Sequence, residues 1–280
     1  MLGFRDARAS AGEALRGFRW LEYRPFAWIM AIQLLFLVCA SNLGTAWGMA
    51  SAGWLLRLVR ETGVHYPTSF VALPVASSYL DSFLFVCLGS FLIPLSLARI
   101  VAHMEGSSQR GPLAVRRAWN AVPATLCSLL LNIGVLLAWQ WIYLHGPSRL
   151  IRGALPGFGG AFTGWLLSEL ISFAVGAVFV YVPVRAVAVG ARLPDAVLGG
   201  LREGLRMFGP TLVVIVLLSW PVMILLVPVQ LGTQTIVSKF RPELVAVGLG
   251  AVAVLNSFLN YVIYSSVARL RRLGATEAEP

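Results

Sequence analysis

Long apolar runs, separated by short arginine-rich text, set the pattern of this chain. The uncharged stretches fall at residues 26–47, 82–98, 119–143, roughly 164–184, 211–231 and 244–268, the fourth enclosing Glu169. A helix needs about 17–25 apolar residues to cross about 30 Å of hydrocarbon. The bilayer core holds no water, so backbone groups must be satisfied within the segment, and each run is expected as a helix. The alternation of a membrane β-barrel, in segments of about ten residues, is absent.

Amphipathic, cationic text precedes each odd-numbered run, at residues 11–21, 111–119 and 194–208. In the last of these Leu198, Leu201, Leu205 and Phe208 recur at helical spacing as one apolar stripe, with Arg202, Glu203 and Arg206 facing away. Such a helix lies in the membrane interface, apolar face down. Pro25, Pro123 and Pro210 then fall at or near an expected span start, where proline is tolerated. The unit of interfacial helix, span, outer loop and returning span occurs three times. The even runs echo one another: Ile93-Pro94-Leu95-Ser96-Leu97-Ala98-Arg99 matches Ile263-Tyr264-Ser265-Ser266-Val267-Ala268-Arg269 in spacing, and Val182-Pro183-Val184-Arg185 is a shorter version. The expected fold is all-α: a polytopic membrane protein of six transmembrane helices in three helical hairpins, each preceded by a cytoplasmic amphipathic interfacial helix. Residues 1–24 form a cytoplasmic amphipathic N-terminus, 25–273 a single six-helix transmembrane domain and 274–280 a short cytoplasmic tail.

Between the first two runs, residues 48–80 are expected outside the membrane. Trp54, Leu55, Leu58 and Val59 against Arg57, Arg60 and Glu61 suggest an amphipathic helix there, and His65-Tyr66-Pro67 a turn. Residues 146–163 read as a flexible outer loop. Their Gly157, Gly159 and Gly160 do not make a phosphate loop, because no strand precedes them and no Gly-Lys-Ser/Thr follows.

Charge fixes orientation. Of 22 lysines and arginines, 16 fall in the N-terminus, the second and fourth loops and the tail, and 6 in the other loops. That excess places both termini in the cytoplasm, and an even number of spans agrees. The net charge of +10 would suggest nucleic acid in a soluble protein. Here the cations flank apolar spans, so the expected partners are the lipid bilayer and anionic lipids at the cytoplasmic face, with no nucleic acid. The chain is 58% hydrophobic and 12% charged, against about a quarter charged in soluble domains. That leaves too little polar surface for a soluble body. No cleavable signal peptide is expected, because the first apolar run exceeds an h-region of about 7–15 residues. Cys39, Cys87 and Cys127 all fall in apolar runs without a CxxC pair and read as small hydrophobes.

Chemistry-bearing text is sparse. HExxH, GxSxG and SxxK are absent, as is any nucleotide-binding motif. His65, His103 and His145 lie far apart near membrane surfaces, and no metal or cofactor is expected. Glu169 is the one carboxylate well inside an apolar run, and intramembrane carboxylates usually face a bundle interior or wet cavity. Its alternative is to snorkel outward to Arg149 or Arg152. Asn132, and Asn256 with Asn260 one helical turn apart, are further polar groups that either line a substrate path with Glu169 or bond helices together. Pro94, Pro183 and Pro221 (with Pro228) interrupt spans and are candidate hinges. Gly44 and Gly48 form a small-xxx-small packing pair.

This organisation, with residues 196–210 (Ala-Val-Leu-Gly-Gly-Leu-Arg-Glu-Gly-Leu-Arg-Met-Phe-Gly-Pro) as its best local text, resembles bacterial six-span inner-membrane proteins. These are the YciC-like proteins and the membrane domain of some glycerophosphodiester phosphodiesterases. The resemblance implies a fold, a multi-pass place in a bacterial cytoplasmic (inner) membrane and an envelope role, and no catalytic residues. The expected function is a non-enzymatic permease-like or accessory subunit of an envelope or transport assembly, with a separate ATPase or other membrane subunit as partner. An intramembrane lipid-modifying enzyme using Glu169 or His145, and a purely structural scaffold, are the alternatives.

Overall fold

A computed structural model describes residues 3–42, 69–106, 112–155 and 157–276. Every regular element among them is helical. In chain order these are α1 (Phe4–Arg16), α2 (Trp20–Ser41), α3 (Ser69–Leu84), a π turn (Phe85–Gly89), α4 (Ser90–Met104), α5 (Pro112–His145), α6 (Pro147–Ala154), α7 (Phe158–Phe179), α8 (Tyr181–Val189), α9 (Leu193–Arg206), α10 (Phe208–Leu231), α11 (Thr233–Lys239) and α12 (Glu243–Thr276). Among the described residues, six helical stretches are long and apolar enough to cross a membrane: Trp20–Ser41, Phe70–Met104, Pro112–His145, Gly159–Val189, Phe208–Leu231 and Glu243–Gly274. The protein is an all-α, multi-pass membrane protein. Four of these stretches run 31 to 35 residues. Such a helix is about 50 Å long at 1.5 Å per residue, against about 30 Å of hydrocarbon, so each tilts or projects past the apolar layer.

Several expected boundaries move. The second span begins at Ser69, well before residue 82, so residues 69–80 are helix rather than outer segment. A reading of uncharged runs stops at Asp81, whereas the helix continues through it and accommodates one π turn. The stretch 111–119 is no separate helix: α5 runs unbroken from Pro112 through Pro123 to His145. Pro25 likewise lies inside α2. The loop expected over 146–163 folds into α6 and the start of α7. The first amphipathic helix ends at Arg16, with a break at Gly17–Arg19 before α2. The third matches closely. Gly190, at φ +65°, closes α8 in the left-handed conformation that glycine adopts without strain, and Pro194 stands at the start of α9. Residues 48–68, with Trp54 and His65, and the pair Gly44 and Gly48 lie outside the described residues.

The chain divides into two compact units. The first comprises Met1–Pro25, Val86–Leu218 and Asn260–Pro280, and the second Phe26–Phe85 and Ser219–Leu259. In the first, α9 packs on α8, α7 and α5, and α4 packs on α5 and α8. Its fully buried side chains include Ile93, Leu97, Ile100, Tyr181, Val182, Val184, Tyr261 and Leu270. Most of these come from the ends of the even spans, where the repeated sequence text lies. In the second, α3 packs on α11. Its core joins Leu37, Cys39 and Ala40 to Phe70, Leu73, Ala76, Val229, Val245 and Leu249.

Candidate functional site

The three amphipathic stretches of the first unit bury small residues and turn large ones outward. α1 buries Ala7, Ser10, Ala11 and Ala14. The start of α5 buries Ala114, Ala118 and Ala121. α9 buries Ala196, Gly200 and Gly204. On α9 the approach is backbone to backbone: a Cβ on Gly200 would meet Val182 Cα at 2.6 Å, and one on Gly204 would run into the Val178 carbonyl oxygen. The apolar stripe read from the sequence points away from the protein. Leu198 is 69% exposed and Leu205 67%, while Leu201 and Phe208 are half-buried. Leu15, Leu113, Val115 and Trp119 are also exposed. Arg8, Arg16, Arg116, Arg202 and Arg206 stand among them, exposed as well. The outer faces are therefore mixed guanidinium and hydrocarbon.

Ion pairs tie each stretch to an even span. Arg269, at the end of the sixth span, reaches Glu13 on α1 at 3.1 Å. Glu105, just past the second span, receives Arg117 of α5 at 2.9 Å. Glu203 on α9 accepts from Arg185 of the fourth span and, at 3.0 Å, from Arg271. The second and third stretches thus pair with the even span that precedes each, and the sixth span pairs with the first stretch through Arg269 and with the third through Arg271. Glu13-Ala14-Leu15-Arg16 and Glu203-Gly204-Leu205-Arg206 occupy the same register. The middle stretch, residues 111–119, carries no acid, and its pair is built from Arg117 instead.

Two prolines each leave free the carbonyl one turn earlier, and that carbonyl accepts a bond from another helix. Pro25 has no N–H for the Leu21 carbonyl one turn earlier, and Arg99 Nη1 donates to that oxygen at 2.6 Å. Pro183 likewise frees the Phe179 carbonyl, which accepts from Ser128 Oγ at 3.1 Å. Beside the first of these, Ser96 Oγ donates to the Glu22 carbonyl at 2.6 Å. The buried Glu22 carboxylate accepts from the Tyr261 hydroxyl at 3.0 Å, inside an aromatic cluster with Phe18 and Tyr23. An open cleft of about 210 Å³ lies where the even spans end, lined by Val101, Glu105, Val184, Ala188, Ala268 and Arg271 among others.

The residues expected to line a path are each half-buried. Glu169 sits mid-way along α7, Asn132 on α5, and Asn256 and Asn260 on α12. No hydrogen bond joins any two of them among the described residues, and the Arg149 and Arg152 side chains lie outside those described. Of the hinge candidates, Pro94 is buried in α4 and Pro183 in α8, while Pro221 is exposed on α10. His145 Nδ1 is 2.8 Å from the Trp141 carbonyl of its own helix.

Sequence reading missed two polar contacts. One is Glu22 with Tyr261, because Glu22 precedes the first uncharged run. The other is in the second unit, where the Gln33 side-chain amide on α2 bonds the Asp81 carboxylate on α3. The signal was present: Gln33 stands alone in an apolar run, and Asp81 stands beside one.

No protein-family model matches this chain, and no curated protein or solved structure is similar to it. Among the described residues no three His, Cys, Asp or Glu side chains gather closely enough to hold a metal. In the first unit, ion pairs join the amphipathic stretches to the ends of the even spans, and the outward faces of those stretches carry arginines among apolar side chains.

Proposed function

We propose that this protein is a non-enzymatic, permease-like or accessory subunit of an envelope or transport assembly. In this reading it resides in a bacterial cytoplasmic membrane with both termini inside. One observation carries the reading: three separate stretches each bury small residues and present arginine with leucine, valine or tryptophan outward. Arginine near an anionic leaflet contributes about 1 kcal/mol each, and the apolar side chains between them suit the headgroup boundary. The same surface can seat a cytoplasmic partner. Because the sequence has no nucleotide-binding motif, active transport would draw on a separate ATPase docked there. The envelope role follows from the resemblance of the sequence organisation to the YciC-like group.

Purification in mild detergent, followed by native mass spectrometry, tests this. The protein should retain anionic phospholipid and at least one further membrane or cytoplasmic subunit. Replacing Arg16, Arg116, Arg202 and Arg206 together by Gln should reduce both several-fold while leaving membrane insertion intact. A lone, lipid-free monomer, or a C-terminal reporter that reads outside the cytoplasm, would overturn the proposal.

A further inference from the structure

We propose that the Asp81 carboxylate, held by the Gln33 side-chain amide between two apolar helices of the second unit, is a proton-binding site within the membrane. Asp81 lies inside the span Phe70–Met104, four residues before the π turn at Phe85–Gly89. Gln33 is buried on α2, and its Nε2 donates to Asp81 Oδ1 across 48 positions of sequence. Asp81 has no other polar partner among the described residues.

A carboxylate taken out of water requires a counter-charge or a proton. The Gln33 amide supplies a hydrogen bond and no charge. The other ionisable side chains on the described parts of this unit are Cys39 on α2, Tyr79 on α3, Lys239 ending α11, Arg241 beside it and Glu243 opening α12. None of them bonds Asp81. A hard cation such as calcium takes about 6–8 oxygen ligands. The pair offers only the two carboxylate oxygens and one amide oxygen. On the same helix, the hydroxyls of Ser78 and Ser82 donate to the carbonyls of Pro74 and Ser78. A proton is the ligand that fits.

Binding converts the carboxylate and a proton from water into a carboxylic acid. Its O–H then donates to the Gln33 amide oxygen once that amide has turned over. Release of the proton restores the N–H to carboxylate bond. A π turn carries one residue more than an α turn, and a one-residue shift rotates the flanking helix by about 100°. Asp81, one turn away, is therefore placed to gain or lose Gln33 as the π turn moves. None of this depends on what the arginine-bearing faces bind.

Infrared difference spectroscopy of the whole protein in lipid nanodiscs, titrated with pH at constant salt, tests the site. The wild type should show a carboxyl C=O band that comes and goes with pH. The band should vanish in Asp81→Asn and shift in Gln33→Leu, with helix content unchanged by circular dichroism. If Asp81→Asn does not fold, the Gln33→Leu shift decides alone. A band indifferent to both substitutions overturns the proposal, as does an Asp81 signal that answers to added sodium or potassium and not to pH.

Discussion

The two units combine packing and polar contacts in different proportions. In the first, side chains bond the backbones of other helices at several places (Arg99 to Leu21, Ser96 to Glu22, Ser128 to Phe179), and acids take arginines from neighbouring elements. Small residues let those backbones approach. In the second, Phe70, Leu73, Leu37 and Leu249 pack on one another, and the described residues add the Gln33–Asp81 pair and one bond from Ser257 to the Phe26 carbonyl. Helices in lipid gain little from apolar burial, so association there rests on close packing and interhelical hydrogen bonds. The contrast teaches that the amphipathic stretches are part of the architecture of the first unit: removing their small faces should undo it, whereas the second unit should tolerate similar changes.

The same substitution in each unit gives the largest expected difference. Alanine in a helix is favoured over glycine by about 1 kcal/mol. At Gly250 a Cβ would meet only Leu34 Cδ2 at 3.5 Å, an ordinary contact, so Gly250→Ala should stabilise by up to about 1 kcal/mol. At Gly200 the Cβ would press on the Cα and nitrogen of Val182 at 2.6 and 2.9 Å. Backbone cannot swing aside as a side chain can, and overpacking costs about 1–3 kcal/mol or more. Gly200→Ala should therefore lower the unfolding midpoint in detergent and Gly250→Ala raise it. Equal shifts would break the comparison.

Burial grades the ion pairs within the first unit. Glu203 is 26% exposed and accepts from two arginines. Removing its charge leaves both without a carboxylate, so Glu203→Gln should destabilise by about 1–2 kcal/mol, below the value for a fully buried pair. Glu13 is 63% exposed, and its pair should contribute at most about 1 kcal/mol. Chemical denaturation of Glu203→Gln and Glu13→Gln in one detergent measures both. A larger loss at Glu13 would mean that the closure from the sixth span to α1 matters more than burial suggests.

Much of this was legible in the sequence, for a physical reason. Hydrocarbon leaves so few options to a backbone that an uncharged run of sufficient length is nearly sufficient for a helix, and all six spans were found. Boundaries differ where that logic is too strict. Asp81 reads as an edge because charge is costly in lipid, yet the helix runs on through it, with a bond from Gln33 to the carboxylate. Pro123 reads as a helix start, yet α5 continues across it. The stripe of Leu198, Leu201, Leu205 and Phe208 lies on an amphipathic helix, but Arg202 and Arg206 share its exposed face instead of turning away, and Glu203 turns inward to Arg185 and Arg271. The packing face, Ala196, Gly200 and Gly204 at spacing four, was equally visible but less conspicuous than leucine. Tyr261 with Glu22 was out of reach, since nothing local links residues 239 positions apart. Glu169 drew attention by its charge, while the described contacts belong to Asp81.

The smallest expected effect tests whether proline-freed carbonyls matter. Ser128 Oγ donates to the Phe179 carbonyl in the first unit, and Ser257 Oγ donates to the Phe26 carbonyl at 3.1 Å in the second. The two bonds look alike but differ in what remains after their loss. Phe26 lies in uninterrupted helix, so its carbonyl keeps the amide of Met30 one turn on. The residue one turn after Phe179 is Pro183, which has no amide to give. Ser128→Ala therefore leaves a carbonyl without a donor, and interhelical hydrogen bonds of this kind contribute about 0.6–2 kcal/mol. Loss of the Phe26 bond removes only a second donor and should cost a few tenths of a kcal/mol. Unfolding midpoints of Ser128→Ala and Ser257→Ala, measured side by side, should fall in that order. The reverse order would show that Pro183 does not expose the Phe179 carbonyl, and that the junction between α7 and α8 is held by packing alone.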